Sequence, residues 1–137
     1  MRVILDTNVL VAALIAPQGP PHHLFEAFLG DRFTLITGDR QIEEFARVTR
    51  YPAIRRRIHP AQAGRMLNAI RSLAVYLESL PVPSVSRDPH DDDLFAMAQA
   101  GAADYLVTGD KADVLALARY GRTQIVTVRQ LMAILQR

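Results

Sequence analysis

The chain has 137 residues, half of them hydrophobic and 22% charged, with a net charge of +2 and no cysteine. This composition fits a single globular domain over residues 1–137, and it excludes a disordered tail, a disulfide framework, a thiol nucleophile and a cysteine-based zinc site. No apolar run approaches the ~20 residues of a membrane-spanning helix, and no signal peptide precedes the first strand. We therefore expect a cytoplasmic protein without a membrane partner.

Strand and helix patterns alternate along the whole chain. In chain order, the predicted elements are a strand at 2–5, helices at about 9–15 and 21–29, a strand at 33–36, helices at about 40–50 and 60–80, a short strand at 82–85, a helix at 88–100, a strand at 104–108, a helix at 112–120, a strand at 124–127 and a helix at 129–136. Thr37 or Asp39 is the expected cap of the third helix. This alternation predicts an α/β fold, with a mostly parallel sheet sandwiched between helices.

Two of the predicted strands end close to a carboxylate. Val3-Ile4-Leu5 leads directly to Asp6, and the strand at 104–108 leads through Gly109 to Asp110. Because parallel strands end at one edge of a sheet, where open α/β folds bind ligands, these two acids are expected to share a site. A buried carboxylate is costly unless it is paired or bound to a metal. The alternative for both residues is a structural role, as a helix cap or a turn residue.

A third acidic cluster, residues 88–93, stands at the start of a predicted helix. Asp88 is a good N-cap, and the helix dipole favours acids in a first turn, but one cap does not need four aspartates. Asp91 lies on the same helical face as the apolar residues 94, 95 and 98, so Asp91 is the expected inward acid. Asp92 is the alternative, and Asp93 is expected to be solvated.

Glu44 is less distinctive, because it lies only at the border of the apolar face of its predicted helix, next to Phe45. Without further information, an exposed helical glutamate is the simpler interpretation. None of the four histidines has the spacing of a histidine metal site, and the sequence contains neither a phosphate-binding glycine loop nor a nucleophile elbow.

Arginine supplies 15 of the 16 basic residues, and eight arginines stand between residues 40 and 71 against only two acids. Arginine binds phosphate through a planar, bidentate fork, so this run favours a phosphate-binding surface over simple solvation of helix faces. The candidate residues of this surface are Arg40, Arg47, Arg50, Arg55, Arg56 and Arg57.

Four sequence blocks, taken in order, resemble the PIN-domain family, and in particular its branch of VapC-like toxins from toxin–antitoxin systems. They are L-D-T-N-V-L at 5–10, E-E-F-A-R-V at 43–48, R-D-P-H-D-D-D-L-F at 87–95 and D-Y-L-V-T-G-D-K at 104–111. The resemblance implies a metal-dependent ribonuclease that binds Mg²⁺ or Mn²⁺ through three or four acids.

Carried over motif by motif, the resemblance implies that the metal-binding and catalytic acids are Asp6, Glu44, Asp91 and Asp110, with Asp92 as an alternate ligand in the third block. Thr7, Asn8 and Thr108 are the implied supporting residues. The implied reaction is hydrolysis of an RNA phosphodiester bond, which leaves a 5′-phosphate and a 3′-hydroxyl.

The resemblance also implies an antitoxin protein as a partner and favours a homodimer. Apolar residues of the first third are candidates for a dimer interface, with core packing as the alternative: Val9, Leu10, Leu14, Leu24 and Phe28. Three rival interpretations of the function remain open. They are a housekeeping PIN nuclease, a non-catalytic α/β binding module whose acids are caps and surface charges, and a phosphatase or receiver-type aspartate.

Overall fold

The computed structural model describes residues 1–78, 89–109 and 112–137, and for residues 89, 90, 112 and 113 only the backbone. Its strands are β1 (Arg2–Leu5), β2 (Thr34–Gly38), β3 (Val75–Leu77), β4 (Tyr105–Val107), β5 (Arg119–Tyr120) and β6 (Thr123–Val126). Its helices are α1 (Thr7–Ile15), α2 (Pro20–Leu29), α3 (Asp39–Val48), α4 (Pro52–Arg55), α5 (Pro60–Leu73), α6 (Pro89–Ala100), α7 (Ala112–Leu117) and α8 (Val128–Leu135).

The strands form a six-stranded sheet in the order β3-β2-β1-β4-β6-β5. All neighbouring pairs are parallel except β5 and β6, which are antiparallel. β1 lies inside the sheet, between β2 and β4, and its register places Leu5 beside Val107. The predicted α/β class with a mostly parallel sheet is therefore confirmed, and the carboxyl ends of β1, β2 and β4 meet at one edge.

Both faces of the sheet are buried, which is why its central strands are continuously apolar. Successive side chains of β1 point to opposite faces: Val3 and Leu5 enter one core, with α1, α2, α3, α5 and α8, while Ile4 enters the other, with α6 and α7. The five residues considered for a dimer interface, Val9, Leu10, Leu14, Leu24 and Phe28, all belong to the first core. Of the two alternatives considered for them, core packing is therefore correct, because these side chains pack inside the chain.

The structure corrects two predicted helices. The helix expected to run from 60 to about 80 ends at Leu73, because Ala74 adopts an extended backbone and the next residues form β3 against β2. The helix expected at 112–120 ends at Leu117, since Arg119 and Tyr120 form β5. Gly121 adopts φ +57° in the turn between β5 and β6, a conformation that glycine tolerates best. The strand predicted at 82–85 lies outside the described residues.

At the opposite edge of the sheet, where the parallel strands begin, Asp104 stands directly before β4 and binds two neighbouring segments. The Asp104 carboxylate accepts hydrogen bonds from the backbone N–H of Arg2 at 2.8 Å and from the Arg122 guanidinium at 2.9 Å. The Arg2 N–H and the Arg122 side chain lower the pKa of Asp104 below its ordinary value of 3.8. Within the described ranges, no helix is long and apolar enough to cross a membrane.

Candidate active site

Asp6 follows β1 directly and is 2% exposed. One carboxylate oxygen accepts the Asn8 backbone N–H at 3.3 Å, which caps α1, and the other accepts the Thr108 hydroxyl at 3.0 Å. The Asp6 backbone N–H donates to the carbonyl of Val107 at 2.9 Å. Asp6 thus caps α1 and also presents its carboxylate at the carboxyl edge of the sheet, so the two interpretations of this residue do not exclude each other.

Thr108 contacts Asp6 and shortly precedes the second predicted acid, Asp110, in the sequence. Thr108 is fully buried against Asp6 and stands two residues before Asp110 along the chain. Asp110 itself lies outside the described residues, as does Asp88. The described part of the chain therefore brings the Thr108 end of β4 to Asp6, at the carboxyl edge of the sheet where the sequence placed the site.

Asp91 and Asp92 both lie in the first turn of α6, and both are buried, with 5% and 7% exposure. The sequence predicted Asp91 as the inward acid and Asp92 as the alternative, and burial does not separate them. Asp93, which was expected in solvent, is partly exposed, with 23% of its side chain accessible, and it accepts a hydrogen bond from the Arg40 guanidinium at 2.8 Å.

Glu44 is half-buried and lines a small pocket near Asp6. The pocket residues come from α1, α3 and α6, and they are Thr7, Arg40, Gln41, Glu44, Asp93, Leu94 and Met97. Thr7, an expected supporting residue, is buried here beside Asp6, whereas the side chain of Asn8 is exposed and Asn8 contributes only its backbone N–H. Glu44 therefore faces a pocket that also contains residues from the Asp6 and Asp93 segments.

A larger cleft of about 250 Å³ adjoins this pocket and shares Arg40, Gln41, Asp93 and Met97 with it. Asp39 stands on its rim and accepts a hydrogen bond from the Tyr76 hydroxyl of β3. This hydrogen bond to a carboxylate raises the pKa of Tyr76 above its ordinary value of 10.0, and burial acts in the same direction. The Asp39 side chain thus binds β3. It does not cap α3, contrary to the prediction from the sequence.

Sequence reasoning missed two buried polar residues of this region. Thr37, considered only as a cap, donates its hydroxyl to the Gln41 side-chain oxygen at 2.7 Å. Gln41 donates its amide to the Leu5 carbonyl at 2.6 Å. Gln41 stands four residues before Phe45, on the buried stripe of α3, and this spacing was the signal that could have identified it.

The donor chemistry at this edge fits a hard divalent cation. Asp6, Asp91 and Asp92 are buried carboxylates, and oxygen is the ligand atom that Mg²⁺ and Mn²⁺ prefer. Among the residues that the structure describes, no group of three acids or histidines is close enough to hold a metal ion. The four-acid site therefore stays a prediction.

The six candidate RNA-binding arginines are all exposed, as are Arg65 and Arg71 of the same run. They lie on α3, α4, α5 and the segments that connect these helices. Arg40 is the member nearest the acids, since it pairs with Asp93 and lines the pocket that contains Glu44.

A mostly parallel sheet sandwiched between helices, with buried carboxylates at its carboxyl edge, defines an α/β protein whose candidate site lies where open α/β sheets bind ligands. A sequence model of the PIN domain matches residues 2–112, and the chain belongs to the PIN-domain family. PIN domains are generally nucleases. The resemblance drawn from the four sequence blocks is thereby confirmed for the family, while the VapC-like branch stays a prediction.

Two further similarities accompany the family match. The uncharacterized protein MJ1680 of Methanocaldococcus jannaschii is 26% identical over 118 residues, which cover 85% of this chain and 75% of that protein. The crystal structure of PAE2754 from Pyrobaculum aerophilum matches 99% of this chain and 90% of its own, with a TM-score of 0.63 and 20% sequence identity. This second similarity shows that the two chains share the fold.

Replacing Thr108 with valine should destabilise the protein, because the buried Asp6 carboxylate loses a hydroxyl donor while the side-chain shape is kept. A hydrogen bond to a charged group contributes about 1.5–3 kcal/mol, and we expect a loss of that size in the free energy of unfolding measured with urea. Thr108→Ser keeps the hydroxyl and should lose only about 1 kcal/mol through the missing methyl group. A valine variant as stable as the serine variant would contradict the role assigned to this bond.

Proposed function

We propose that this protein is a Mg²⁺- or Mn²⁺-dependent endoribonuclease whose metal-binding acids are Asp6, Glu44, Asp91 or Asp92, and Asp110. The observation that carries the proposal is the buried Asp6 carboxylate, hydrogen-bonded to Thr108 at the sheet edge where β1 and β4 both end. Membership of the PIN-domain family supports a nuclease. A cytoplasmic location stays a prediction.

The described acids stand on well-defined elements: Asp6 directly follows β1, Asp91 and Asp92 lie at the start of α6, and Glu44 lies on α3. Asp110, three positions after the end of β4 in the sequence, would complete the proposed set. A bound divalent cation would supply charge stabilisation at the phosphodiester and a more acidic water. Thr108 holds one oxygen of Asp6 and thereby fixes the orientation of that carboxylate.

RNA would approach along the exposed arginines of α3, α4 and α5. Their positive charge favours the phosphate backbone, and the beginning of α3 adjoins the acidic edge through the Arg40–Asp93 pair and the bond from Gln41 to Leu5. Arg40 would contact the phosphate nearest the acids, because its guanidinium already stands at the mouth of both cavities. The paired Asp93 keeps this guanidinium at the rim of the site.

Purified protein should cleave single-stranded RNA when Mg²⁺ or Mn²⁺ is present and should stop when EDTA is added. We expect Asp6→Asn and Asp110→Asn each to lower the cleavage rate at least roughly a hundredfold, equivalent to about 2.7 kcal/mol of transition-state stabilisation. Separate Asp91→Asn and Asp92→Asn variants identify the ligand of the third block. Asp104→Asn, at the opposite edge of the sheet, is the control and should cleave normally. Cleavage that survives EDTA or both strand-end substitutions would refute the proposal.

Removing arginines from the proposed RNA surface should weaken RNA binding and reduce its dependence on salt. In EDTA, where no cleavage occurs, the double variant Arg56→Ala/Arg57→Ala should reduce the slope of log K against log salt by up to about 1.4, or about 0.7 per lost phosphate contact. Arg119→Ala/Arg122→Ala removes the same charge beyond the far edge of the sheet and should leave the slope unchanged. Equal effects of the two double variants would argue against a defined RNA surface.

We further propose that the nuclease is the toxin of a type II toxin–antitoxin pair, silenced by an antitoxin protein. Expression of the wild-type chain in a bacterial host should then arrest growth, whereas Asp6→Asn at equal expression should not. Co-expression of a small protein encoded beside the gene should restore growth. Normal growth with an active wild-type nuclease would instead favour housekeeping RNA processing. A homodimer, if it forms, would use a surface other than the five buried residues considered from the sequence.

A further inference from the structure

Gln41 is a buried amide that connects three elements of the fold. It lies in the first turn of α3 and is 6% exposed. Its nitrogen donates to the carbonyl of Leu5, the last residue of β1, and its oxygen accepts the hydroxyl of Thr37 in β2. Buried polar side chains are retained where both ends of the group find partners, and here both partners are themselves buried.

The contact with Leu5 fixes the peptide unit that precedes Asp6. The carbonyl of Leu5 and the N–H of Asp6 belong to one planar peptide group. Gln41 binds that carbonyl at 2.6 Å, and Val107 accepts that N–H at 2.9 Å. The peptide group is therefore held by a partner at each of its two polar atoms, and the backbone of Asp6 has little freedom to rotate.

The same amide also determines where Glu44 lies. Residues three apart on a helix share one face, so a bond at Gln41 fixes the rotation of the turn that carries Glu44. Gln41 and Glu44 line the same small pocket together with Thr7. The Gln41 side chain thus connects the backbone of Asp6, one proposed ligand, to α3, the helix that carries Glu44, another proposed ligand.

We infer that Gln41, oriented by Thr37, is a positioning residue that holds the carboxylates of Asp6 and Glu44 in the arrangement required for a divalent cation. This inference rests on the proposed function, because it assumes that both acids bind the metal. Gln41 touches neither the substrate nor the reacting atoms, and it acts through the Leu5–Asp6 peptide and through α3.

The test measures Mn²⁺ affinity by calorimetry without RNA, so that catalysis plays no part in the readout. Loss of a group that orients metal ligands typically weakens metal binding by about 10–100-fold, and we expect Gln41→Leu to raise the Mn²⁺ dissociation constant at least about tenfold. Thr37→Val, which removes only the donor to Gln41, should raise it less, while Thr37→Ser keeps the hydroxyl and should bind as wild type does.

Thr123→Val is the matched control. The Thr123 hydroxyl is 1% exposed and donates to the Ala103 carbonyl at 2.7 Å, a buried side-chain-to-backbone bond like that of Gln41 but at the opposite edge of the sheet. Its loss should lower thermal stability while leaving Mn²⁺ affinity within about twofold of wild type, since the ligand-orienting effect is absent. This control separates positioning of the acids from general loss of a buried hydrogen bond.

The possible outcomes distinguish the inference from the function on which it rests. If wild type binds Mn²⁺ and folded Gln41→Leu binds it equally well, the positioning role is refuted and the nuclease proposal stands. If Gln41→Leu does not fold, the comparison of Thr37→Val with Thr37→Ser decides, and equal affinities refute the role. If wild type binds no Mn²⁺ at all, the metal-dependent function and the inference both fail.

Discussion

The register of β1 against β4 is the constraint on which the rest of the structure depends. Leu5 lies beside Val107, so the next residues, Asp6 and Thr108, meet at the edge of the sheet and form a hydrogen bond. Because side chains alternate between the faces of a strand, a shift by one residue would exchange the two cores that Val3 and Ile4 enter. Core packing therefore enforces the register, and the register in turn places Asp6 against Thr108.

Helix starts make the burial of several acids tolerable. Asp6 caps α1, and Asp91 and Asp92 occupy the first turn of α6, where unpaired N–H groups and the helix dipole favour negative charge. Negative charge at these helix starts is therefore stabilised independently of any cation. A position at a helix start therefore does not exclude the metal-binding role proposed for these acids.

The sequence predicted the class of fold and the position of Asp6 at the carboxyl edge of the sheet because both leave local signals. A buried parallel strand is a short apolar run, and a carboxylate immediately after it is conspicuous, as at Asp6. The edge strands left weaker signals. Leu77 continued the apolar spacing of α5, which concealed β3, and Gly121 could end a helix as well as turn a hairpin, which concealed β5.

Thr37 and Gln41 were missed in the sequence for the same physical reason. Thr37 and Gln41 bond to groups in other elements, so their roles depend on tertiary contacts, which no local pattern of residue types reports. The pair between Asp93 and Arg40, 53 residues earlier in the chain, is likewise a contact between two elements that the sequence did not predict. Local sequence patterns describe the elements, whereas these contacts are decided by how the elements pack.

Helix α3 connects the acidic edge to the basic surface. Its first turn carries Arg40 and Gln41, its middle carries Glu44, and its last turn carries Arg47, so a single rigid element bears residues proposed for RNA binding and for the metal site. Phe45 and Ile42 anchor this helix in the core, and Gln41 ties its start to β1. Since a helix moves as a unit, any displacement of α3 along β1 would shift the arginines and Glu44 together relative to Asp6. The short polar link at Gln41 therefore lies where it resists the motion that would most disturb the proposed site.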